Sequence, residues 1–210
     1  MNRLKHLVFG AALAFSAMGL PAQQVLAETF VFTAIPDENE ARLRERFDKV
    51  AVYLTKTLGV ETKYIPVKSY AAAVTAFRNN QVQLGWFGGL SGVRARHLVP
   101  GSEAIAQGFE DQAFETYFIV HASTGLKPSA DFPAAIAGKT FTFGSKGSTS
   151  GRLMPEYYVR QNFKAAPNRI FTKVGFSGNH SKTIALVQSG AYQVGAVNFK
   201  VWENEQIGRA

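Results

Sequence analysis

The chain has 210 residues, 46% of them hydrophobic and 18% charged, with a formal net charge of +8 and no cysteine. That is the composition of an ordinary globular protein, and the lack of cysteine excludes both a disulfide framework and a lipid-attachment residue. A basic excess is compatible with nucleic acid, but the export signal at the N-terminus argues against that partner and leaves a field that favours small anions.

Residues 1–27 carry Arg3 and Lys5, then an uncharged apolar run from Leu7 to Leu20, and end in Val25-Leu26-Ala27. The apolar run is shorter than the roughly 20 residues a membrane span needs, so the stretch reads as a signal peptide cleaved before Glu28. The mature chain is expected in a bacterial periplasm and is long enough for one or two small domains.

Residues 29–36 predict a strand stopped by Pro36. Acidic residues from Asp37 to Glu40 then open a helix whose buried stripe is expected to be Leu43, Phe47, Val50, Val52, Leu54 and Leu58, with Gly59 ending it. A second strand over 60–67 leads to a helix over 69–78 capped by Ser69, which puts Tyr70 at a strand-to-helix junction, where open α/β sheets bind ligands. The segment from Val82 to Val93 reads as strand, glycine turn and helix start. Trp86 is assigned to the core, and Phe87 beside Gly88-Gly89 to a cleft wall, because glycine lets backbone approach a ligand. Three such units make a parallel sheet.

Residues 114–121 form a strand suited to a crossing between lobes, with His121 an ordinary strand-end residue. A short helix over 129–137, a strand over 138–143, a helix over 157–163, a strand over 170–174, a helix over 182–188 and a buried strand over 193–198 complete the pattern.

The stretch Gly144-Ser145-Lys146-Gly147-Ser148-Thr149-Ser150-Gly151 carries the chemistry. It places three hydroxyls at a helix N-terminus, where unpaired backbone N–H groups and the macrodipole favour an anion. Serine and threonine are also the commonest caps, but one hydroxyl suffices for a cap. It is no nucleotide P-loop, since Lys146 precedes the hydroxyls instead of following a second glycine. His180 lies at another helix N-terminus and can face the same cleft.

Four blocks in order carry a resemblance: Pro66 with Tyr70; Gln83 to Ser91; Gly147 to Tyr158; and Asn179-His180 followed by Gln193 to Asn198. Together they resemble the phosphonate/phosphite substrate-binding proteins of ABC transporters, closest to the branch named for selenate binding. The resemblance implies an α/β, type II periplasmic binding protein fold, two lobes around a hinged cleft. Lobe one would be residues 28–110, with 199–210 returning to it, and lobe two residues 111–198. It further implies a chain truncated just after its second crossover.

By the same resemblance the ligand is a small tetrahedral oxyanion of phosphonate, phosphite or selenate type, held by Ser148, Thr149, Ser150, Tyr70 and His180. Phe87, Phe114 and Asn198 join the ligand-binding positions. Phe114 stands where aminophosphonate binders have tyrosine, and Phe199-Lys200 where they have an acid for the ammonium group, so a compact anion is expected. No cofactor, metal or enzymatic activity is expected. The expected partner is an inner-membrane ABC permease, with no nucleic acid and a monomeric chain. The alternative from another class is a periplasmic phosphate-ester hydrolase using a Ser/His pair. Against it stand the missing Gly-x-Ser-x-Gly elbow and the absence of a His-rich or Asp-rich cluster.

Overall fold

The structure, a computed structural model, describes residues 28–207. The signal-peptide reading of residues 1–27 lies outside the described residues.

Two sheets organise the chain. In the first, β1 (Phe30–Ala34) is the central strand between β2 (Thr62–Tyr64) and β3 (Leu84–Trp86), and both pairings are parallel. Phe32, Thr33 and Ala34 are all buried, the pattern of a strand covered on both faces rather than on one. The crossovers are α1 (Glu40–Leu58), α2 (Tyr70–Arg78) and α3 (Gly89–Leu98). Asn39 caps α1 by accepting the Ala41 N–H, and Gly59 ends it with φ of 71°, a left-handed backbone that glycine adopts without strain.

The α1 stripe is narrower than the sequence predicts. Leu43 and Phe47 are buried against Phe32 and Ala34, with Val50 and Leu54 partly so, whereas Val52 and Leu58 are exposed. Val52 lies nine residues after Leu43, half a turn off that face at 100° per residue. Trp86, expected in the core, is 45% exposed, because it is the last residue of an edge strand and touches only the rim of the core, 6.2 Å from the Phe47 ring.

The second sheet has the order β4-β7-β5-β6, from β4 (Thr116–Val120), β5 (Thr140–Phe143), β6 (Lys173–Phe176) and β7 (Val194–Asn198). β7 is antiparallel to β4 and parallel to β5, and every one of its residues is buried. Around it pack α4 (Met154–Phe163), α5 (Pro167–Ile170), α6 (His180–Gln188) and α7 (Phe199–Ile207). One core joins Phe141, Phe143, Phe171, Val159 and Val194, with Phe141 and Phe171 stacked at 4.5 Å. A second joins Ile119, Ile184, Val187, Val197 and Val201.

Two predicted elements shift. The strand expected over 170–174 begins only at Lys173, because Pro167 presets the helical φ of α5 and carries it through Ile170. The helix expected over 129–137 is reduced to one 3₁₀ turn, Ala134–Ile136, with Pro133 at its N-cap. α7 touches both halves of the chain: Val201 joins the second core, while Glu205 is ion-paired to Arg42 of α1 at 3.0 Å. Among the described residues no helix is long and apolar enough to cross a membrane.

Packing is tight at Gly195, in the middle of β7. A Cβ there would stand 2.7 Å from Thr183 Cγ2 and 2.9 Å from Val187 Cγ2, on β-branched side chains with little freedom to move. Gly195→Ala is therefore expected to destabilise the protein by about 1–3 kcal/mol and to lower its melting temperature by roughly 3–10 °C. An unchanged melting curve would contradict this packing.

Candidate functional site

The segments that follow β1, β3, β5 and β6 meet, with Leu90 N–H on Thr149 Oγ1 and His180 N–H on Asp37 C=O, and each leads into a helix start. The turns that follow are Pro36–Asn39, Phe87–Gly88, Gly144–Ser148 and Ser177–Asn179, and α2 contributes its own first residue, Tyr70. Helix N-termini carry unpaired N–H groups and partial positive charge, so the region between the sheets favours an anion without any cationic side chain.

The β5–α4 turn departs from a simple helix start. Thr149–Leu153 is a π turn, with Leu153 N–H donating to Ser148 C=O at 3.0 Å, and α4 begins only after it at Met154. Such turns concentrate at functional sites. Gly151 has to be glycine here, since a Cβ would stand 3.0 Å from His180 Cε1 and 3.1 Å from Ser148 Oγ.

Each of the three hydroxyls receives an N–H. Ser148 Oγ accepts from Gly151 N–H at 2.9 Å, and Thr149 Oγ1 accepts from Leu90 N–H at 2.9 Å. Ser150 Oγ lies 3.5 Å from His180 Nε2. His180 Nδ1 accepts from Asn198 N–H at 3.3 Å, so in the neutral ring the proton sits on Nε2 and is donated to Ser150. A hydroxyl that already accepts an N–H has its own proton free to donate elsewhere. The three hydroxyls are thereby turned into donors.

Burial sets the protonation states. His180 is 2% exposed, and desolvation pushes its pKa down to about 4, so the ring is neutral at pH 7. Tyr70 is also buried, and desolvation pushes its pKa well up, with the nearby Asp37 charge adding and a hydrogen bond to Ser148 opposing. It remains a phenol, and whichever of Tyr70 and Ser148 donates to the other, one O–H of the pair is left over. Asp37, which sequence reasoning did not single out, is pushed up to about 6 by desolvation, opposed by Arg46 at 3.8 Å and reinforced by Glu38. Its backbone C=O accepts His180 N–H at 2.8 Å, so it belongs to the same corner. The only local signal for it is its place directly after the strand-ending Ile35-Pro36.

The other predicted positions take different places. Phe87 packs edge-on against Phe77 at 5.8 Å and joins Ile35, Tyr70 and Ala73, so it backs Tyr70. Asn198 uses its Oδ1 to cap α7 through Val201 N–H at 2.8 Å and its own N–H to orient His180. Phe114 is 44% exposed and sits edge-on to Phe199 at 5.4 Å. Lys200 is half exposed and lies 3.8 Å from Glu110, which leaves the aromatic pair to carry the argument for a compact ligand. Arg152, within the motif, is ion-paired to Glu156 and stands over the rings of Phe143 and Phe176.

A groove of about 310 Å³ lies beside this corner, between Pro36, Tyr64 and Lys68 on one side and Asn179 and Lys182 on the other. None of the three hydroxyls lines it, and Ser148 and Ser150 are buried in the closed junction. Among the described residues no group of three or more His, Asp or Glu side chains converges as a metal site would require.

The sequence matches the family described as "ABC transporter, phosphonate, periplasmic substrate-binding protein" over residues 32–207. A protein of Prochlorococcus marinus (strain MIT 9301), named "Probable ABC transporter phosphite binding protein PhnD1", is 44% identical over 97% of this chain and 69% of its own length. The phosphonates-binding periplasmic protein of Escherichia coli (strain K12) is 27% identical over 87% of this chain and 55% of its own. Among solved structures, that of PhnD1 from Prochlorococcus marinus with methylphosphonate superposes with a TM-score of 0.81 at 46% identity, covering 85% of this chain and 66% of that one. A binding-protein component of a phosphonate ABC transporter from Pseudomonas aeruginosa shares the fold, with a TM-score of 0.70 at 18% identity over 86% of this chain and 60% of that one. The chain thus spans about two thirds of the length of the first relative and just over half of the E. coli protein.

The two titrating groups, buried His180 and partly buried Asp37, work in opposite senses. Below its unfolded value of about 6.5 His180 binds a proton in the unfolded chain but not in the native one, so its contribution to stability falls as pH is lowered from 6.5 toward 4. Asp37 binds its proton first in the native state, so its contribution rises over the range from about 6 down to 3.8. His180→Asn removes only the first. Urea titrations from pH 7 to 4 should therefore show wild type losing about 3 kcal/mol relative to the variant. Parallel stability curves would contradict a buried neutral imidazole.

Proposed function

This chain belongs to the phosphonate-binding family of periplasmic ABC-transporter substrate-binding proteins and has the type II periplasmic binding protein fold; from that premise we propose that it captures a small tetrahedral oxyanion between two lobes and presents it to an ABC permease. Lobe one is residues 28–110 and lobe two residues 111–198, with α7 bridging them. The observation that carries the reading is that Ser148, Thr149 and Ser150 each accept an N–H, so Thr149, Ser150 and one O–H of the Tyr70–Ser148 pair are left to donate to a ligand that only accepts. Tyr70 and the N-termini of α3, α4 and α6 add to the same polarity.

Hydrogen bonds to a charged group contribute roughly 1.5–3 kcal/mol each. Four to six of them, less the loss of translational freedom, reach the roughly −8 kcal/mol of a micromolar complex. Phosphite, methylphosphonate and selenate all present tetrahedral oxygens to such a cradle. The Phe114–Phe199 pair supports a compact member of that set, since it offers no acceptor for an ammonium group. A Ser/His hydrolase is disfavoured by the tautomer: His180 Nε2 already carries a proton and cannot take one from Ser150.

Calorimetric titration tests the reading. Wild type is expected to bind methylphosphonate or phosphite, and Ser148→Ala and His180→Ala to bind at least ten-fold more weakly, because each leaves a desolvated anion short of a partner. Binding of 2-aminoethylphosphonate is expected to be weaker than that of methylphosphonate. Unchanged affinity in both variants would remove the cradle, and a reversed ligand order would remove the size argument.

A further inference from the structure

α3 begins without the side chain a helix start normally has. Its N-cap is Gly88, in extended backbone at φ −79° and ψ 170°, and glycine has nothing with which to accept the first free N–H groups. Ser91 reaches back, accepting Gly88 N–H at 3.0 Å, but this leaves Leu90 N–H unserved by its own lobe. Its partner is Thr149 Oγ1 at 2.9 Å, from the other side of the cleft. The glycine pair gives the threonine room to arrive, since a Cβ on Gly89 would stand 3.3 Å from Thr149 Oγ1. Two further contacts cross at the neighbouring corner: His180 N–H to Asp37 C=O at 2.8 Å, and Asn179 Nδ2 to Glu38 C=O at 3.3 Å.

We infer that Thr149 is the latch of the cleft: it serves as the missing N-cap of α3, so that this helix is capped only when the two lobes are closed. The inference rests on the anion-binding reading and deepens it. The same oxygen that accepts Leu90 N–H has its proton left for the anion, so ligand and latch polarise one hydroxyl in the same direction and each strengthens the other. Gly88 is then a specificity device for the closed state. Any side chain there that could cap α3 by itself would satisfy Leu90 N–H in the open form and remove part of the drive to close.

The position tolerates the test. A Cβ on Gly88 would meet Ile35 Cδ1 at 3.6 Å and Thr149 Oγ1 at 3.7 Å, ordinary contacts, so Gly88→Ala adds bulk without a cap and Gly88→Ser adds both. The chain has no native cysteine, so spin labels can be attached at Arg78→Cys and Arg169→Cys, one exposed site on each lobe, and the distance between lobes read directly. Gly88→Ser is expected to show a larger open population than Gly88→Ala both with and without methylphosphonate. It is also expected to bind methylphosphonate about five-fold more weakly, the weight of one N-cap. In the anion-free protein Thr149→Val should widen the distance between the labels, since it removes the acceptor of Leu90 N–H. Identical distance distributions and affinities for Gly88→Ser and Gly88→Ala would overturn the latch while leaving anion binding in place. Failure of wild type to bind methylphosphonate or phosphite would instead overturn the functional reading, and the anion-free distances would still decide the latch.

Discussion

An N–H donated into each hydroxyl of the β5–α4 turn is the interaction on which the rest of the site depends. A serine or threonine left alone both donates and accepts, and so does not distinguish an anion from a protonated ligand. Gly151, Leu90 and His180 each occupy one of the two acceptor lone pairs from outside and leave the hydroxyl proton to donate. The requirement propagates outward. His180 must be neutral with its proton on Nε2, which needs both its burial and the Asn198 N–H on Nδ1. Gly151 leaves room for the imidazole, since a Cβ there would stand 3.0 Å from His180 Cε1.

Charge is handled without a cation in contact with the hydroxyls. Helix N-termini at the ends of parallel strands supply positive potential, and they do so in fixed positions that need no reorganisation when the ligand arrives. Two arginines of this region are engaged elsewhere: Arg46 with Glu38 and Asp37, Arg152 with Glu156 and two phenyl rings. Asp37 runs against this polarity. It is a carboxyl at an anion-favouring corner, and desolvation eases the conflict by moving its proton affinity up to about 6.

What was legible in the sequence was what is local. Ser69 as a cap, Gly59 as a stop, the first strand, the buried β7, and the hydroxyl triplet next to a helix all follow from residues close along the chain, and the structure has each of them. Tyr70 lies against Ser148, and Ser150 against His180, at one junction. What escaped depends on contacts far along the chain. The pairing of Thr149 with Leu90, the carboxyl of Asp37 and the tautomer set by Asn198 cannot be read from a window of neighbouring residues. Val52 and Trp86 were assigned to the core on hydrophobicity alone, and the position of a helix face and of a sheet edge decided otherwise. The amide oxygen of Asn198 is committed to capping α7, a contact set by the turn after β7.

The account stands on one geometric claim, that an oxyanion sits against three hydroxyls that each accept an N–H. A crystal structure of the protein with methylphosphonate measures it directly. The account predicts phosphonate oxygens within about 2.5–3.0 Å of Ser148 Oγ, Thr149 Oγ1 and Ser150 Oγ, the range of hydroxyl-to-oxyanion hydrogen bonds, with His180 Nε2 still directed at Ser150. An anion seated instead in the groove between Lys68 and Lys182, with the three hydroxyls out of its reach, would contradict it.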